Sequence, residues 1–71
     1  MAKKKTIKKL KSEYNLLLDK MDSLDDFIYY SDEFEKLSQT QRYLTTKQRD
    51  AMIEYAKFLS LRIENLEHET N

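Results

Sequence analysis

The chain has 71 residues, so it forms at most one small domain, and it contains no cysteine and a single histidine, His68. These counts exclude a disulfide framework and a thiolate metal site, and they leave almost nothing from which to build a zinc site. Charged residues make up 37% of the chain and hydrophobic residues 39%, a balance typical of helical, coiled-coil-like proteins. So small a core gains stability mainly from association, so we expect a homo-oligomer without a metal or cofactor.

The charges lie in four blocks of alternating sign, although the formal net charge is zero. Residues 1–11 carry six lysines and no acid, and residues 12–35 have a net charge of −7. Residues 36–62 have a net charge of +4, and residues 63–71 of −3. Folding such a chain in half brings opposite charges together at both ends. The pattern therefore predicts an antiparallel hairpin.

The first helix is predicted near residues 6–29, with residues 1–5 as a flexible basic arm outside a single domain of residues 6–71. Its apolar residues follow spacings of three and four, which is a heptad pattern. They are Ile7, Leu10, Tyr14, Leu17, Met21, Leu24 and Ile28.

A short helical elbow is predicted near residues 31–37, because Ser31 and Asp32 are good helix N-caps. Ser38 precedes Gln41 by three residues, the spacing of a capping box, and this predicts a second helix near residues 39–67. One uninterrupted helix is the alternative, but the heptad loses phase after the first helix. The fold class is therefore all-α, an antiparallel two-helix hairpin with an elbow.

The second helix carries two sets of apolar residues. Met52, Tyr55, Leu59 and Ile63 are predicted to face the first helix, around Leu17. Other apolar residues lie partly off that stripe, and an exposed apolar patch usually marks an interface. The predicted oligomer interface consists of Ile53, Ala56, Phe58 and Leu61.

Cationic and aromatic side chains are the candidates for ligand binding. Aromatic rings stack on bases, and Arg and Lys bind phosphate. Alternatively, the cations pair with nearby acids (Arg62 with Glu13, for example) and the tyrosines pack the elbow. Nucleic acid is a poor fit, because the C-terminal glutamates should neutralise the N-terminal lysines. The candidates are Lys8, Lys9, Lys11, Tyr29, Tyr30, Arg42, Tyr43, Arg49 and Arg62.

No pattern in the sequence supports catalysis. Asp25 and Asp26 are adjacent, so on a helix they point about 100° apart and cannot share a proton. The only histidine lies near the end of the chain. We therefore expect that the protein is not an enzyme. No apolar run approaches the roughly 20 residues that span a bilayer, so we expect a soluble protein without a membrane partner.

A spaced series of residues within about positions 13–66 carries a family resemblance. The series is Leu24, Phe27, Ile28, Ser31, Phe34, Leu37, Gln41, Leu44, Gln48, Met52, Tyr55, Leu59, Arg62 and Ile63. It resembles a family of small, mostly uncharacterised phage and prophage proteins named after a gene of a crAss-like phage, and it departs at Tyr43, where leucine is usual. The resemblance implies a viral or prophage origin, and so the cytoplasm of a bacterial host, and an all-helical hairpin.

In size and architecture the predicted hairpin is also similar to phage nucleotide sponges. Those oligomers bind cyclic nucleotides or cyclic ADP-ribose-type signals made by bacterial defence systems. We therefore expect a phage accessory protein that antagonises host defence by binding, most concretely a sponge for a nucleotide-type signal. The alternatives are a protein–protein interaction module that inhibits a host or phage protein, and a structural or assembly coiled coil.

Overall fold

Two long helices and one short helix make up the part of the chain that the computed structural model describes, residues 2–70. They are α1 (Ala2–Tyr30), α2 (Asp32–Lys36) and α3 (Gln39–Thr70). Helices α1 and α3 pack side by side in opposite directions, in a rod of 50 × 15 × 14 Å. The predicted all-α antiparallel hairpin is confirmed. Met1 and Asn71 lie outside the described residues.

Helix α1 begins at Ala2, four residues before the predicted start. Residues 2–5, predicted to form a flexible basic arm, are therefore helical. Lysine is a good helix former, and the Nζ of Lys3 lies 3.7 Å from the Oε2 of Glu69 in the last turns of α3. The first turns of α1 and the last turns of α3 therefore lie side by side. The lysines of α1 pair there with glutamates of α3.

Serine side chains define the elbow. The backbone N–H of Glu33 donates to the Oγ of Ser31 at 3.2 Å, which caps α2. The N–H of Gln41 donates to the Oγ of Ser38 at 3.1 Å, which caps α3. Both predicted caps are confirmed, and they explain how the chain reverses without glycine or proline.

The hydrophobic core is a single seam between α1 and α3. Its buried residues are Leu10, Leu17, Ala56, Leu59 and Ile63. Ile7, Tyr14, Met21, Met52 and Leu66 pack against this seam from its edges. The heptad of α1 therefore faces inward as predicted. Within the described residues, no helix is long and apolar enough to cross a membrane.

The inward face of α3 differs from the prediction by one residue. Ala56, predicted at an oligomer interface, is buried in the hairpin, whereas Tyr55, predicted to face α1, is half exposed. Met52, Ala56, Leu59 and Ile63 follow the spacing 4, 3, 4 and form the seam. A small residue at position 56 lets the helices approach closely, and a tyrosine at the edge of the seam keeps its hydroxyl group available for a polar partner. That partner is Glu13, whose carboxylate accepts a hydrogen bond from the Tyr55 hydroxyl.

Candidate functional site

One side of the hairpin carries three adjoining open grooves, and we call it the groove face. Leu16 on α1 lines all three, and it is 63% exposed. Tyr55 and Gln48 line grooves of this face from α3. The hydrogen bond from Tyr55 to Glu13 therefore lies near the middle of the groove face.

The groove nearest the start of α1 is cationic, and we call it the lysine groove. It is about 640 Å³ in volume and is lined by Lys5, Lys8, Lys9, Ser12, Glu13 and Leu16. In the part of the chain that is described, no ion pair involves any of its three lysines. The first turn of α1 also contains no acid, so the positive end of the helix dipole adds to their field. The groove is thus a place where negative charge is favoured.

Lys11 does not belong to this groove, although the sequence grouped it with Lys8 and Lys9. Its Nζ lies 3.0 Å from the Oε2 of Glu67. Two residues turn a helix by about 200°, so Lys9 and Lys11 point to different flanks of α1. The predicted neutralisation of the basic start by the acidic end therefore applies to Lys3 and Lys11, and not to the lysines of the groove.

Arg49 is held by groups of α1. Its Nε lies 2.7 Å from the Oδ1 of Asp25, and its guanidinium group lies 5.6 Å from the centre of the Tyr29 ring. Both ion-paired atoms are buried, and their geometry is that of an ion pair and not of an aligned hydrogen bond. Arg49 therefore follows the alternative interpretation, in which the cations pair with nearby acids, whereas the Tyr29 ring beside it is 62% exposed.

Replacing Arg49 with alanine is expected to destabilise the hairpin by about 1–2 kcal/mol, because it leaves the carboxylate of Asp25 partly buried without its partner. Urea denaturation followed by circular dichroism measures the change. The matched control is Lys36→Ala, which breaks the exposed pair of Lys36 with Glu33 and should change the free energy of unfolding by a few tenths of a kcal/mol. Equal effects of the two substitutions would contradict the structural role of Arg49.

The remaining candidates lie near the elbow. Arg42 and Tyr43 line a shallow groove of about 500 Å³ with Phe34, and the Nζ of Lys47 lies 5.6 Å from the centre of the Tyr43 ring. Tyr30, at the end of α1, is 84% exposed. These residues and the lysine groove lie toward opposite ends of a rod 50 Å long. A single hairpin therefore does not bring the nine predicted residues together.

Arg62 extends the groove face toward the lysine groove. It follows Tyr55 by seven residues, or two helical turns, so it lies on the same side of α3. It is exposed, and it does not pair with Glu13 as one reading of the sequence proposed, because Tyr55 occupies that carboxylate. Among the described residues, no ion pair involves Arg62.

The exposed apolar residues of α3 point in more than one direction. Ile53, Phe58 and Leu61 are exposed, as predicted for an interface. Ile53 and Phe58 lie about 140° apart around the helix, so one flat surface cannot cover both. The sequence reasoning missed Leu16 and Leu44, which are also exposed. The signal that could have found the Leu44 surface is a second heptad on α3, formed by Leu44, Gln48, Ala51, Tyr55, Phe58 and Arg62.

The fold and the grooves define a small helical-hairpin protein with an open cationic surface, and its described residues include no cluster of side chains that could hold a metal ion. A family model described as Sequestin matches residues 4–65. The chain belongs to the Sequestin family. The match is consistent with the resemblance to a small phage-type family, and the family name is compatible with a binding or sequestering role. No curated protein and no solved structure matches the chain.

Proposed function

We propose that this protein is a phage accessory protein that sequesters a nucleotide-type immune signal in the cytoplasm of the bacterial host, and that it does so as a homo-oligomeric sponge. The observation that carries the proposal is the lysine groove, one depression lined by three lysines that form no ion pair with any residue from 2 to 70. Lysine binds phosphate as a compact point charge. The membership of the chain in the Sequestin family supports the same reading.

The remaining features of the groove agree with a ligand of nucleotide size. Its volume of about 640 Å³ is in the range of small-molecule sites, roughly 300–1,000 Å³, but the groove is an open depression lined by side chains of α1 alone. Ser12 offers a hydroxyl group that can hydrogen-bond to ribose hydroxyls or base edges. Arg62 adds a guanidinium group on the same side of the hairpin, and such a group binds two phosphate oxygens at once.

Sequestration requires affinity and an adequate amount of protein, and it requires no chemical step. We therefore infer that the protein is not an enzyme and that it returns its ligand unchanged. The exposed apolar part of the groove face, which includes Leu16 and Tyr55, favours protein–protein contact as a second activity.

Thermal shift with a panel of ligands tests the proposal. The panel contains cyclic di-AMP, cyclic tri-AMP, ADP-ribose and cyclic ADP-ribose, with AMP and inorganic phosphate for comparison. A ligand at a hundredfold excess over its Kd stabilises the folded state by about 2.7 kcal/mol. For a chain of this size we expect a rise in Tm of roughly 10 °C or more with at least one panel member.

Two outcomes would count against the proposal. If no panel member shifts the Tm at a hundredfold excess over a micromolar Kd, the nucleotide sponge is wrong. If a member binds but mass spectrometry recovers a cleaved product after the protein is denatured, the protein is an enzyme. Recovery of the intact ligand supports sequestration.

A further inference from the structure

A small slot lies beside the lysine groove, between α1 and α3, and we call it the tyrosine slot. It is about 160 Å³ in volume and is lined by Glu13, Leu16, Leu17, Lys20 and Tyr55. Glu13 and Leu16 also line the lysine groove, so the two depressions adjoin. The lysine groove has side chains of α1 alone, whereas the slot has one wall from each long helix. A ligand that occupies both depressions is therefore held between the two helices.

The ring of Tyr55 forms the α3 wall of the slot, and a polar contact fixes its position. Its hydroxyl group donates a hydrogen bond to the carboxylate of Glu13, which ties the end of the side chain to α1. The side chain is nevertheless 50% exposed, and Leu16 on the α1 side of the slot is 63% exposed. Aromatic rings bind bases by stacking, and a ring that is already oriented loses little conformational entropy on binding. The slot therefore offers an oriented apolar surface of the kind that binds a base.

Arg62 places a further cation level with the lysine groove. It follows Tyr55 by seven residues, which is about 10 Å along α3. Because α3 runs antiparallel to α1 and Tyr55 bonds to Glu13, this displacement points toward the first turns of α1. Lys5 and Lys9 of the lysine groove lie there. The cations of this part of the groove face are therefore displaced from the Tyr55 ring along the rod, toward the start of α1.

The order of these groups along the rod matches the order of groups in a nucleotide. A nucleotide carries phosphate at one end and a base at the other, with ribose between them. Phosphate is favoured among the lysines and Arg62, and it is disfavoured in the slot, where the carboxylate of Glu13 repels it. The base is favoured in the slot, between Leu16 and Tyr55. The charges thus define the direction in which a nucleotide lies on the groove face.

We propose that the tyrosine slot holds the base of the nucleotide ligand between Leu16 and Tyr55, while the lysine groove and Arg62 hold its phosphate. This inference rests on the proposed function, and it assigns each part of the ligand to a part of the hairpin. A base and a protein partner would compete for Leu16 and Tyr55, and the cations beside these two residues favour the base of an anionic ligand.

Comparing AMP with ribose-5-phosphate tests the slot, because the second molecule has a hydroxyl group in place of the base. NMR titration of the isotope-labelled protein measures both dissociation constants, even where binding is weak. The wild type should bind AMP about tenfold to a hundredfold more tightly than ribose-5-phosphate. Tyr55→Leu should reduce this preference to about twofold or less, because it removes the stacking ring. It should leave the binding of ribose-5-phosphate unchanged, which also shows that the variant is folded.

The matched control is Tyr43→Leu, the same substitution at a ring that is 60% exposed in the shallow groove near the elbow. This variant should keep the full preference for AMP. Tyr55→Phe keeps the ring but loses the bond to Glu13, so its preference should lie between those of the wild type and Tyr55→Leu. The slot is wrong if Tyr55→Leu keeps the wild-type preference, or if Tyr43→Leu removes it. An unchanged preference in Tyr55→Phe would contradict the orienting role of Glu13.

Nuclear Overhauser contacts locate the base directly, and they remain informative if Tyr55→Leu unfolds the chain. In the wild-type complex with AMP, the adenine protons should show contacts to the ring of Tyr55 and to the methyl groups of Leu16. Contacts to Tyr30 or Tyr43 instead would place the base at the elbow and overturn the proposal.

Two further results separate this inference from the proposed function. Light scattering of Tyr55→Leu should give the wild-type mass, and a lower mass would show that a second chain, and not a base, covers Leu16 and Tyr55. If a member of the nucleotide panel raises the Tm but Tyr55→Leu keeps the wild-type preference for AMP, only the tyrosine slot is refuted. Failure of every panel member to bind would refute the proposed function, and this inference with it.

Discussion

Replacing Leu59 with alanine is expected to destabilise the hairpin by about 2–5 kcal/mol, because the substitution opens a cavity in a core that cannot close around it. Leu59 is 1% exposed and is the most buried large side chain in the described part of the molecule. Domains of this size have a total stability of roughly 4–11 kcal/mol. One substitution therefore removes a large share of the stability, and the variant should be mostly unfolded well below the wild-type Tm.

The matched control is Leu61→Ala, the same substitution two residues later in the same helix, at a side chain that is 49% exposed. It should change the free energy of unfolding by less than about 1 kcal/mol. Urea denaturation of both variants and the wild type measures the difference, at one fixed protein concentration because association contributes to the measured stability. If Leu61→Ala costs as much as Leu59→Ala, the seam of the hairpin does not run through Leu59.

The fold of α1 could be predicted because its heptad is uninterrupted and has only one reading. Leu10 and Leu17 fall on that heptad, and both are buried in the seam. The direction of the hairpin could be predicted from the charge blocks, and the pairs Lys11 with Glu67 and Asp25 with Arg49 confirm it. Both features follow from patterns that can be read directly along the chain, the heptad and the charge blocks, so the sequence alone was sufficient to predict them.

The rotation of α3 could not be predicted in the same way, because the helix carries two overlapping heptads. Tyr55 belongs to one of them and Ala56 to the other, and hydrophobicity alone favours the larger tyrosine as a core residue. In the hairpin, the face of α3 that contains Ala56 packs against α1. A small residue there lets the two helices approach closely, and Tyr55 at the edge of the contact then reaches Glu13. Which heptad of α3 is buried depends on its contact with α1, and the local sequence of α3 does not contain that information.

The sequence predicted which residues are candidates for the site, but it did not predict which of them lie together in the fold. The sequence identified Lys8, Lys9 and Lys11 as one cluster, and the hairpin divides that cluster between its two flanks. Lys9 lines the lysine groove, and Lys11 pairs with Glu67. The division follows from helix rotation together with the position of α3, so it required the packing to be known. It also provides a sharp test, because α1 contains both paired and unpaired lysines.

The double substitution Lys8→Gln with Lys9→Gln is expected to weaken binding of a nucleotide ligand by about a hundredfold or more, since each charge-assisted contact to phosphate is worth roughly 1.5–3 kcal/mol. Glutamine has nearly the helix propensity of lysine, so α1 should stay intact. Isothermal titration with the strongest panel ligand measures the loss, and circular dichroism checks the helix content.

The matched control is Lys3→Gln with Lys11→Gln, which removes the same two charges from the same helix at lysines that pair with Glu69 and Glu67. These lysines lie outside the lysine groove, so binding should weaken less than about threefold at 0.15 M salt, where the Debye length is about 8 Å. Equal losses in the two double variants would mean that the ligand senses only the net charge of this end of the hairpin. A large loss of affinity in the Lys8 and Lys9 variant alone would mean that these two lysines contact the ligand directly. Salt screens the effect of a charge removed at a distance from the ligand, but it does not screen a direct contact.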